Sequence, residues 1–315
     1  MRGVRPVKNG GPTPFSGKLR LPAGTADFAR RGFRLDRPAD RSVLENCARG
    51  FVAGFNAVAG WRDPHDALAR IPDEERGFAY EGAGMRAALT DLATMGSAGA
   101  LAKLLAGPGS GYVHLVHVGY GWGLVPSRLP VPVVLPRTPL LRWLALDGAG
   151  FAEVYFGGIA AAKRRSRSVG TVKGDARLAG CGRALWFVES ADPDGIARAI
   201  ATLPAAARPH LWAGVGLAAC YAGNAGETRI DQVAKASGKA EPYLRQGALF
   251  AIAARFRSGI VPAHTTLACR RLFAAEPDEA AEWTETAADG LKERSDPEAY
   301  LEWKSRLRKL ACRPA

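Results

Sequence analysis

A short pattern recurs along the chain at intervals that are typical of helical-repeat proteins. Each copy has an apolar or aromatic residue, two further positions, a small residue that is usually glycine, and then a run rich in alanine and apolar residues. The copies centre on Gly54, Gly82, Gly119, Val154, Val188, Gly214 and Gly247, at intervals of 26 to 37 residues. Units of this length are helix pairs that bury their apolar faces only against neighbouring units. The sequence therefore predicts an all-α, helical-repeat array.

Two segments match each other more closely than the rest. Residues 72–87 and 204–219 align at one constant offset and share a proline, an arginine, two glycines and a final alanine. The coinciding positions are Arg76 and Arg208, Gly82 and Gly214, Gly84 and Gly216, and the aromatic pair Tyr80 and Trp212. We predict an internally duplicated domain over 33–272, with halves of about 33–155 and 170–270. A chance match in a chain rich in alanine and glycine is the alternative.

Three other segments depart from the pattern. Residues 1–32 are rich in glycine, proline and basic side chains, which bury too little apolar surface to offset the entropy of ordering, so we expect a disordered basic arm. The stretch 124–146 is rich in prolines, which interrupt helical hydrogen bonding, and we expect a long connection there. Residues 273–315 are predicted to form one or two C-terminal helices.

Acidic residues directly before proline predict four helix starts, at Asp63-Pro64, Asp192-Pro193, Glu276-Pro277 and Asp296-Pro297. An aspartate can cap the free N–H groups of a first turn, and proline at the first helical position gives up no hydrogen bond. The helix dipole also favours an acidic first turn.

The chain has a net charge of +13, which makes nucleic acid or an anionic membrane a partner to consider. The run Lys163-Arg164-Arg165-Ser166-Arg167 holds part of the excess, but no aromatic residue interrupts it to offer a stacking platform. We expect no nucleic-acid partner. The most apolar stretches, near 113–126 and 211–223, end before the roughly 18 residues that a membrane span needs. We expect no membrane span and, without an apolar signal region, a cytoplasmic protein.

Metal binding has little support in the sequence. The five cysteines show no CxxC spacing that would hold zinc or form a redox pair. His114 and His117 are three residues apart, so a helix would place them on one face, but a site there would need a third ligand such as Glu81 or Glu153. We predict no metal and expect one of the two histidines to be a core group with its hydrogen bonds satisfied.

Seven short strings follow one another between residues 33 and 272. They are Phe33-Arg34-Leu35-Asp36, Phe78-Ala79-Tyr80-Glu81-Gly82-Ala83, Leu115-Val116-His117-Val118-Gly119 with Trp122, Leu146-Asp147-Gly148-Ala149-Gly150-Phe151 with Glu153, Tyr155 and Phe156, Leu185-Trp186-Phe187-Val188-Glu189, Leu211-Trp212-Ala213-Gly214-Val215-Gly216, and Ala263-His264-Thr265. Together they are similar to an accessory family, a domain of unknown function, encoded beside enediyne polyketide synthases in antibiotic gene clusters. One departure is that Ala152 and Val154 stand where this resemblance implies a polar residue and a glycine.

The resemblance implies a role in enediyne warhead biosynthesis. The protein would act on the linear polyene or polyyne intermediate made by the enediyne polyketide synthase, in maturation or cyclisation of the core. The reaction type and the cofactor are unknown, and the implied partners are that apolar polyene or polyyne and other proteins of the cluster. Two non-catalytic alternatives are a helical scaffold that organises the biosynthetic complex and a binding protein that sequesters the reactive enediyne.

Polar residues inside the apolar strings are the candidates for chemistry. Glu81, Glu153 and Glu189 lie at or next to the recurring pattern, where burial would raise a carboxyl pKa and suit a general acid or base. His117, Asp147 and His264 complete the predicted catalytic set. The alternative for the three glutamates is a structural role in capping or bridging neighbouring helices.

Aromatic residues recur beside the small ones and are the candidates for substrate binding. We predict that Tyr80, Tyr120, Trp122, Tyr155, Trp186 and Trp212 line an elongated apolar channel for a conjugated chain, with core packing as the alternative. Cys220 is expected to be structural because its apolar surroundings would raise its pKa. No P-loop, GxSxG elbow or dinucleotide fingerprint is present, so no nucleotide or flavin cofactor is indicated.

Overall fold

The computed structural model describes residues 19–60, 63–125 and 135–312, and every regular element within these residues is helical. The predicted all-α class is confirmed. The α-helices are α1 (Phe28–Arg31), α2 (Pro38–Ala57), α3 (Pro64–Leu68), α4 (Asp73–Ala93), α5 (Ala100–Leu105), α6 (Val113–Trp122), α7 (Leu144–Arg165), α8 (Val172–Val188), α9 (Pro193–Ala201), α10 (Arg208–Tyr221), α11 (Glu227–Ser237), α12 (Glu241–Arg257), α13 (Ala263–Phe273), α14 (Pro277–Ala287) and α15 (Pro297–Ala311). Short 3₁₀ turns cover Ala23–Ala26, Gly107–Tyr112, Leu140–Trp143, Ser166–Ser168, Ala205–Ala207 and Gly238–Ala240.

Glycines bring the long helices together backbone to backbone. Helices α2, α4, α6, α7, α8, α10 and α12 pack one after another in that order. At each helix-to-helix contact a glycine from either side faces a backbone carbonyl of its neighbour, and a Cβ in its place would lie only 1.8–2.5 Å from that oxygen. The contacts pair Gly54 with Gly82, Gly84 with Gly119, Gly121 with Gly148, Gly150 with Gly180, Gly182 with Gly214, and Gly216 with Gly247. Close packing offsets the roughly 1 kcal/mol that each helical glycine costs relative to alanine.

The register of this array differs from the predicted one on two helices. The contact glycines come in Gly-x-Gly pairs on α4, α6, α7, α8 and α10, and the facing carbonyl belongs to the residue three positions before the partner glycine. The predicted centres Val154 on α7 and Val188 on α8 are wrong, because the contacts lie earlier, at Gly148 and Gly180. A valine side chain cannot fit where two backbones touch. An origin of the array by duplication stays a prediction.

The predicted arm ends earlier than residue 32. Residues 1–18 of it lie outside the described residues, but α1 follows a short 3₁₀ turn and Phe28 is completely buried. Its ring lies edge-on to Phe33, with centroids 5.0 Å apart. Burial of Phe28 and Ala26, together with hydrogen bonds that link Leu21 and Thr25 to the helical domain, thus holds a stretch whose average composition predicts disorder.

Residues 126–134, in the middle of the predicted connection over 124–146, lie outside the described residues. Its last residues are helical: a 3₁₀ turn covers Leu140–Trp143, and α7 begins at Leu144. The nearest proline before them, Pro139, precedes the turn and breaks no helical hydrogen bond. Helix α7 is itself broken at Gly158, which has a φ of 59°.

The four predicted helix starts are confirmed, because α3, α9, α14 and α15 each begin at the expected proline. Asp63 and Asp192 each accept a hydrogen bond from a first-turn N–H at 2.8 Å, and Asp296 accepts one at 2.9 Å. Glu276 makes no such side-chain cap. Among the described residues, no helix combines the length and the apolar character needed to cross a membrane.

Candidate functional site

Three charged side chains from three helices meet in the protein interior. Arg183 Nη1 donates to Glu81 Oε1 at 3.1 Å, and Arg183 Nε lies 2.9 Å from Asp147 Oδ1. These side chains are only 4–8% exposed. The Trp122 indole N–H also donates to Glu81 Oε1, at 3.0 Å, and the Arg183 guanidinium lies 4.3 Å from the centre of the Phe151 ring. Glu81, Asp147 and Arg183 are called the interior cluster below.

The interior cluster occupies positions that are apolar elsewhere in the array. Glu81 and Asp147 each lie one residue before the first glycine of a Gly-x-Gly pair. Arg183 lies three residues after the first glycine of its own pair, Gly180. The positions equivalent to the two carboxylates hold Val118, Ala179 and Ala213, and those equivalent to Arg183 hold Met85, Trp122, Phe151 and Leu217. The helix packing alone therefore does not require charges at these places.

Burial sets the electrostatics of the interior cluster. Burial, together with the nearby charge of Glu81, raises the pKa of Asp147 above its usual range, although Arg183 opposes the shift. Burial alone would lower the pKa of Arg183, but the two carboxylates outweigh it and raise that pKa. The Arg183–Asp147 approach lacks hydrogen-bond geometry, and Arg183 Nη2 has no acceptor among the described residues. The cluster thus keeps a spare donor in a buried place.

Two small cavities flank Arg183. The first, of about 40 Å³, has mainly aromatic and aliphatic walls, with Phe51, Phe78, Trp122, Phe151, Tyr155 and Phe187 among them. The second, of about 60 Å³, extends towards α12 and α15 and is more polar, with His114, Asp147, Gln246, Tyr300 and Lys304 in its walls. Arg183, Leu217 and Tyr221 line both cavities. Since one water needs roughly 10–15 Å³, each cavity has room for a few waters or a small organic group.

A family model described as "Protein of unknown function (DUF1702)" matches residues 18–311. The chain belongs to this family. The matched region of this DUF1702 protein includes every helix from α1 to α15, so the interior cluster and both cavities lie inside the family domain. No curated protein and no solved structure matches the chain.

Two predicted catalytic glutamates of the DUF1702 protein lie away from the interior cluster. Glu153 is held between Arg165 and Arg177, at 2.6 and 2.9 Å, and its side chain is 16% exposed. Glu189 directly follows α8 and lies 3.8 Å from Arg34. Burial raises the pKa of Glu189, against the charge of Arg34. Both carboxylates therefore bridge helix ends or neighbouring helices.

The two predicted catalytic histidines also lie outside both cavities. His117 is completely buried, with Nδ1 2.7 Å from the Val113 carbonyl, and burial lowers its pKa. Its Nε2 has no hydrogen-bond partner among the described residues, so only one of the two ring nitrogens of this core histidine is hydrogen-bonded. His264 lies 3.3 Å from the Tyr221 carbonyl, at the edge of an open polar cleft that also contains Arg37 and Asp40. Burial lowers the pKa of His264 as well.

The predicted aromatic set divides between the cavity and the core. Trp122 and Tyr155 line the first cavity. Tyr80 stacks on Tyr112, with centroids 4.1 Å apart, in a separate apolar cluster. Trp186 and Trp212 are buried in the main core. Tyr120 is half-buried and lines neither cavity.

Arg183, Tyr221 and Lys304 are among the cavity-lining residues that sequence reasoning missed. Arg183 is the only charged residue between Leu178 and Val188. A single charge among apolar residues is also the reason that Glu81 was predicted, so the same signal could have identified Arg183. Tyr221 and Lys304 give no comparable signal. Cys220 is buried, and burial raises its pKa as expected. In the described part of the chain, no group of three or more His, Cys, Asp or Glu side chains is arranged to hold a metal.

Proposed function

We propose that this protein takes part in enediyne warhead biosynthesis. It acts on the linear polyene or polyyne intermediate made by the enediyne polyketide synthase, in maturation or cyclisation of the core. The observation that carries the proposal is the interior cluster, in which three charges occupy otherwise apolar positions beside an aromatic-walled cavity. The resemblance of the seven sequence strings to proteins encoded beside enediyne synthases supplies the pathway.

The walls of the first cavity suit a hydrocarbon ligand. Phe151 lies between Trp122 and Phe187, with ring centroids 4.9 and 5.3 Å away, so the walls offer flat apolar faces to a conjugated chain. Each cavity is too small for a long chain as the structure stands. A longer ligand requires the two cavities to join, and Arg183, Leu217 and Tyr221, which line both, are the residues that must move for this.

The interior cluster supplies the polar chemistry in this proposal. Asp147 keeps its proton to a higher pH than an ordinary carboxyl group, so it can serve as a proton donor in an apolar site. Arg183 Nη2 is free to donate a hydrogen bond to an oxygen at the end of the chain. Glu81 holds Arg183 in place and is itself held by the Trp122 indole.

The test is the metabolite profile of a strain that lacks the gene, read by mass spectrometry for the linear polyene and the mature warhead. We expect the polyene to accumulate and the warhead to disappear. The wild-type gene and a Glu276→Gln control should restore the warhead, because within the described parts of the chain the Glu276 side chain makes an exposed ion pair with Arg270 and no other. Glu81→Gln and Asp147→Asn should each restore less than a tenth of it, while thermal melting of the purified variants checks that they fold.

Other outcomes separate the alternatives. Warhead production that does not change in the deletion strain would sink the biosynthetic proposal. If the deletion abolishes the warhead but Glu81→Gln and Asp147→Asn restore it fully, the protein is a scaffold and the interior cluster is structural. A deletion strain that makes warhead but becomes sensitive to it would identify a sequestering protein.

A further inference from the structure

A lysine of the C-terminal helix reaches into the second cavity. Lys304 of α15 is 4% exposed and lines this cavity together with Asp147 and Tyr300. Its nitrogen lies 5.2 Å from the centre of the Tyr300 ring. Among the described residues, no carboxylate comes within the 4.0 Å of an ion pair. A buried ammonium without a close partner is costly, so such lysines tend to be neutral or to have a chemical role.

Charged, titratable and polar groups on α7, α8, α10, α12 and α15 lie around Lys304. Asp147 of α7 and Asp175 of α8 favour its charged form, whereas Arg308 of α15 opposes it. His210 of α10 lies 3.5 Å from Asp175. Gln246 of α12 accepts a hydrogen bond from Arg308 at 2.8 Å, which keeps that second cation beside Lys304. Burial and Arg308 prevail, and the pKa of Lys304 is lowered to about 8.

We propose that Lys304 forms an imine with a carbonyl group of a small molecule that enters the second cavity. The site has the three features that this reaction needs. They are an amine without a close ion-pair partner, a cavity beside it and an acid, Asp147, in the same cavity wall. The proposal does not rest on the enediyne pathway, since it concerns the reactivity of the amine itself.

The reaction uses only groups that are present. The nitrogen lone pair adds to the carbonyl carbon, and one amine proton passes to the oxygen to give a carbinolamine. Proton donation to the hydroxyl then releases water, the C=N bond forms, and the second N–H proton is lost. Asp147 is the acid in the cavity wall, and burial raises its pKa, so it can supply that proton.

The test is reductive trapping on the purified full-length chain. The protein is incubated with propanal and sodium cyanoborohydride at pH 7.5, and the propylated lysines are located and timed by peptide mass mapping. We expect Lys304 to react at least about tenfold faster than the exposed Lys235 and Lys239, since more of a lysine with a lowered pKa is neutral at this pH. Mapping by peptide also separates Lys304 from the terminal amine.

Two controls keep the test decisive. In urea the advantage of Lys304 should vanish, because the cavity that lowers its pKa is lost. Asp147→Asn removes the proposed acid, and this loss should outweigh the gain in neutral amine that follows when the charge of Asp147 is removed. We expect the trapping of Lys304 to slow several-fold and the rate at Lys235 to stay unchanged. If folded Lys304 reacts no faster than Lys235, or reacts equally fast in the unfolded chain, the imine proposal is overturned, whatever the metabolite profile shows.

Discussion

Two carboxylate–arginine clusters lie on the same pair of helices, on opposite sides of one glycine contact. Gly150 of α7 meets Gly180 of α8 there. On one side of this contact, Asp147 lies three residues before Gly150 and Arg183 lies three residues after Gly180. Both belong to the interior cluster, which also includes Glu81 from α4. On the other side, at the same distance along the chain, Glu153 and Arg177 form the outer cluster together with Arg165.

The two clusters differ in composition and in exposure. In the interior cluster two carboxylates share one arginine, and the side chains are 4–8% exposed. In the outer cluster two arginines share one carboxylate, and the side chains are 16–25% exposed. Water screens the outer charges, whereas removing a partner from a buried cluster leaves a charge with no compensation. The same helix register thus produces a partly exposed ion-pair cluster at one end and a buried one at the other.

The largest expected difference in stability is between substitutions of Arg183 in the interior cluster and Arg177 in the outer cluster. Arg183→Met should lower the free energy of unfolding by about 3–5 kcal/mol, because it leaves Glu81 and Asp147 buried without a cation. Arg177→Met should cost about 1 kcal/mol or less, because Glu153 keeps Arg165. Urea denaturation of wild type and both variants measures these losses in the free energy of unfolding. Equal losses would mean that the interior cluster is no more sensitive than the outer one.

A change at the glycine contact should disturb both clusters together. In Gly180→Ala the new Cβ would lie 1.8 Å from the Asp147 carbonyl oxygen, so α7 and α8 must move apart. We expect a loss of about 1–3 kcal/mol, the usual range for overpacking. Gly50→Ala on α2 is the matched control: its Cβ meets its neighbours at an ordinary 3.4 Å, and alanine favours the helix by up to about 1 kcal/mol. A Gly180→Ala protein as stable as wild type would contradict the backbone contact.

The pH dependence of stability tests the interior environment. Because burial raises the pKa of Asp147 above 3.8, the folded chain binds more protons than the unfolded chain above that pH. The stability from this group is complete below pH 3.8 and is lost as the pH rises through the folded pKa. As the pH rises above about 5, where an unfolded aspartate is ionised, wild type should therefore lose stability relative to Asp147→Asn until the folded pKa is passed, by about 1.4 kcal/mol for each unit of pKa difference.

The control for this measurement is Asp231→Asn. Arg271 lowers the pKa of the exposed Asp231, so that carboxylate is already charged in both states across the same pH range. The difference between wild type and Asp231→Asn should stay constant there. A constant difference for Asp147→Asn as well would refute the raised pKa.

The smallest expected effect is at the outer cluster. Glu153→Gln removes the carboxylate between Arg165 and Arg177 and should cost about 1 kcal/mol or less, because both arginines keep access to water. High salt should reduce that cost further by screening the pair in the wild type. Thermal melting at low and high salt checks this. A loss as large as that of Arg183→Met would place Glu153 in the same class as the interior cluster.

Local signals in the sequence were enough to predict the all-α class and the four helix starts. Asp63-Pro64 and Asp192-Pro193 specify their helix ends through contacts within a few residues, so no distant information is needed. The recurring pattern also predicts most of the contact glycines, but it misplaces the pattern centres on α7 and α8. The pattern places centres at Val154 and Val188, where the small residue is not a glycine, whereas the backbone contacts lie at the Gly-x-Gly pairs.

The sequence alone could not distinguish the interior cluster from the outer one. Glu81, Glu153 and Glu189 all lie among apolar residues, and nothing local separates them. Arg183 bonds to Glu81 across 102 positions, and Asp147 arrives from a third helix. The sequence determined where helices begin and which glycines allow them to touch, because these depend on local chemistry. Only the tertiary structure decided which charges lose contact with water, because burial depends on how distant helices pack around them.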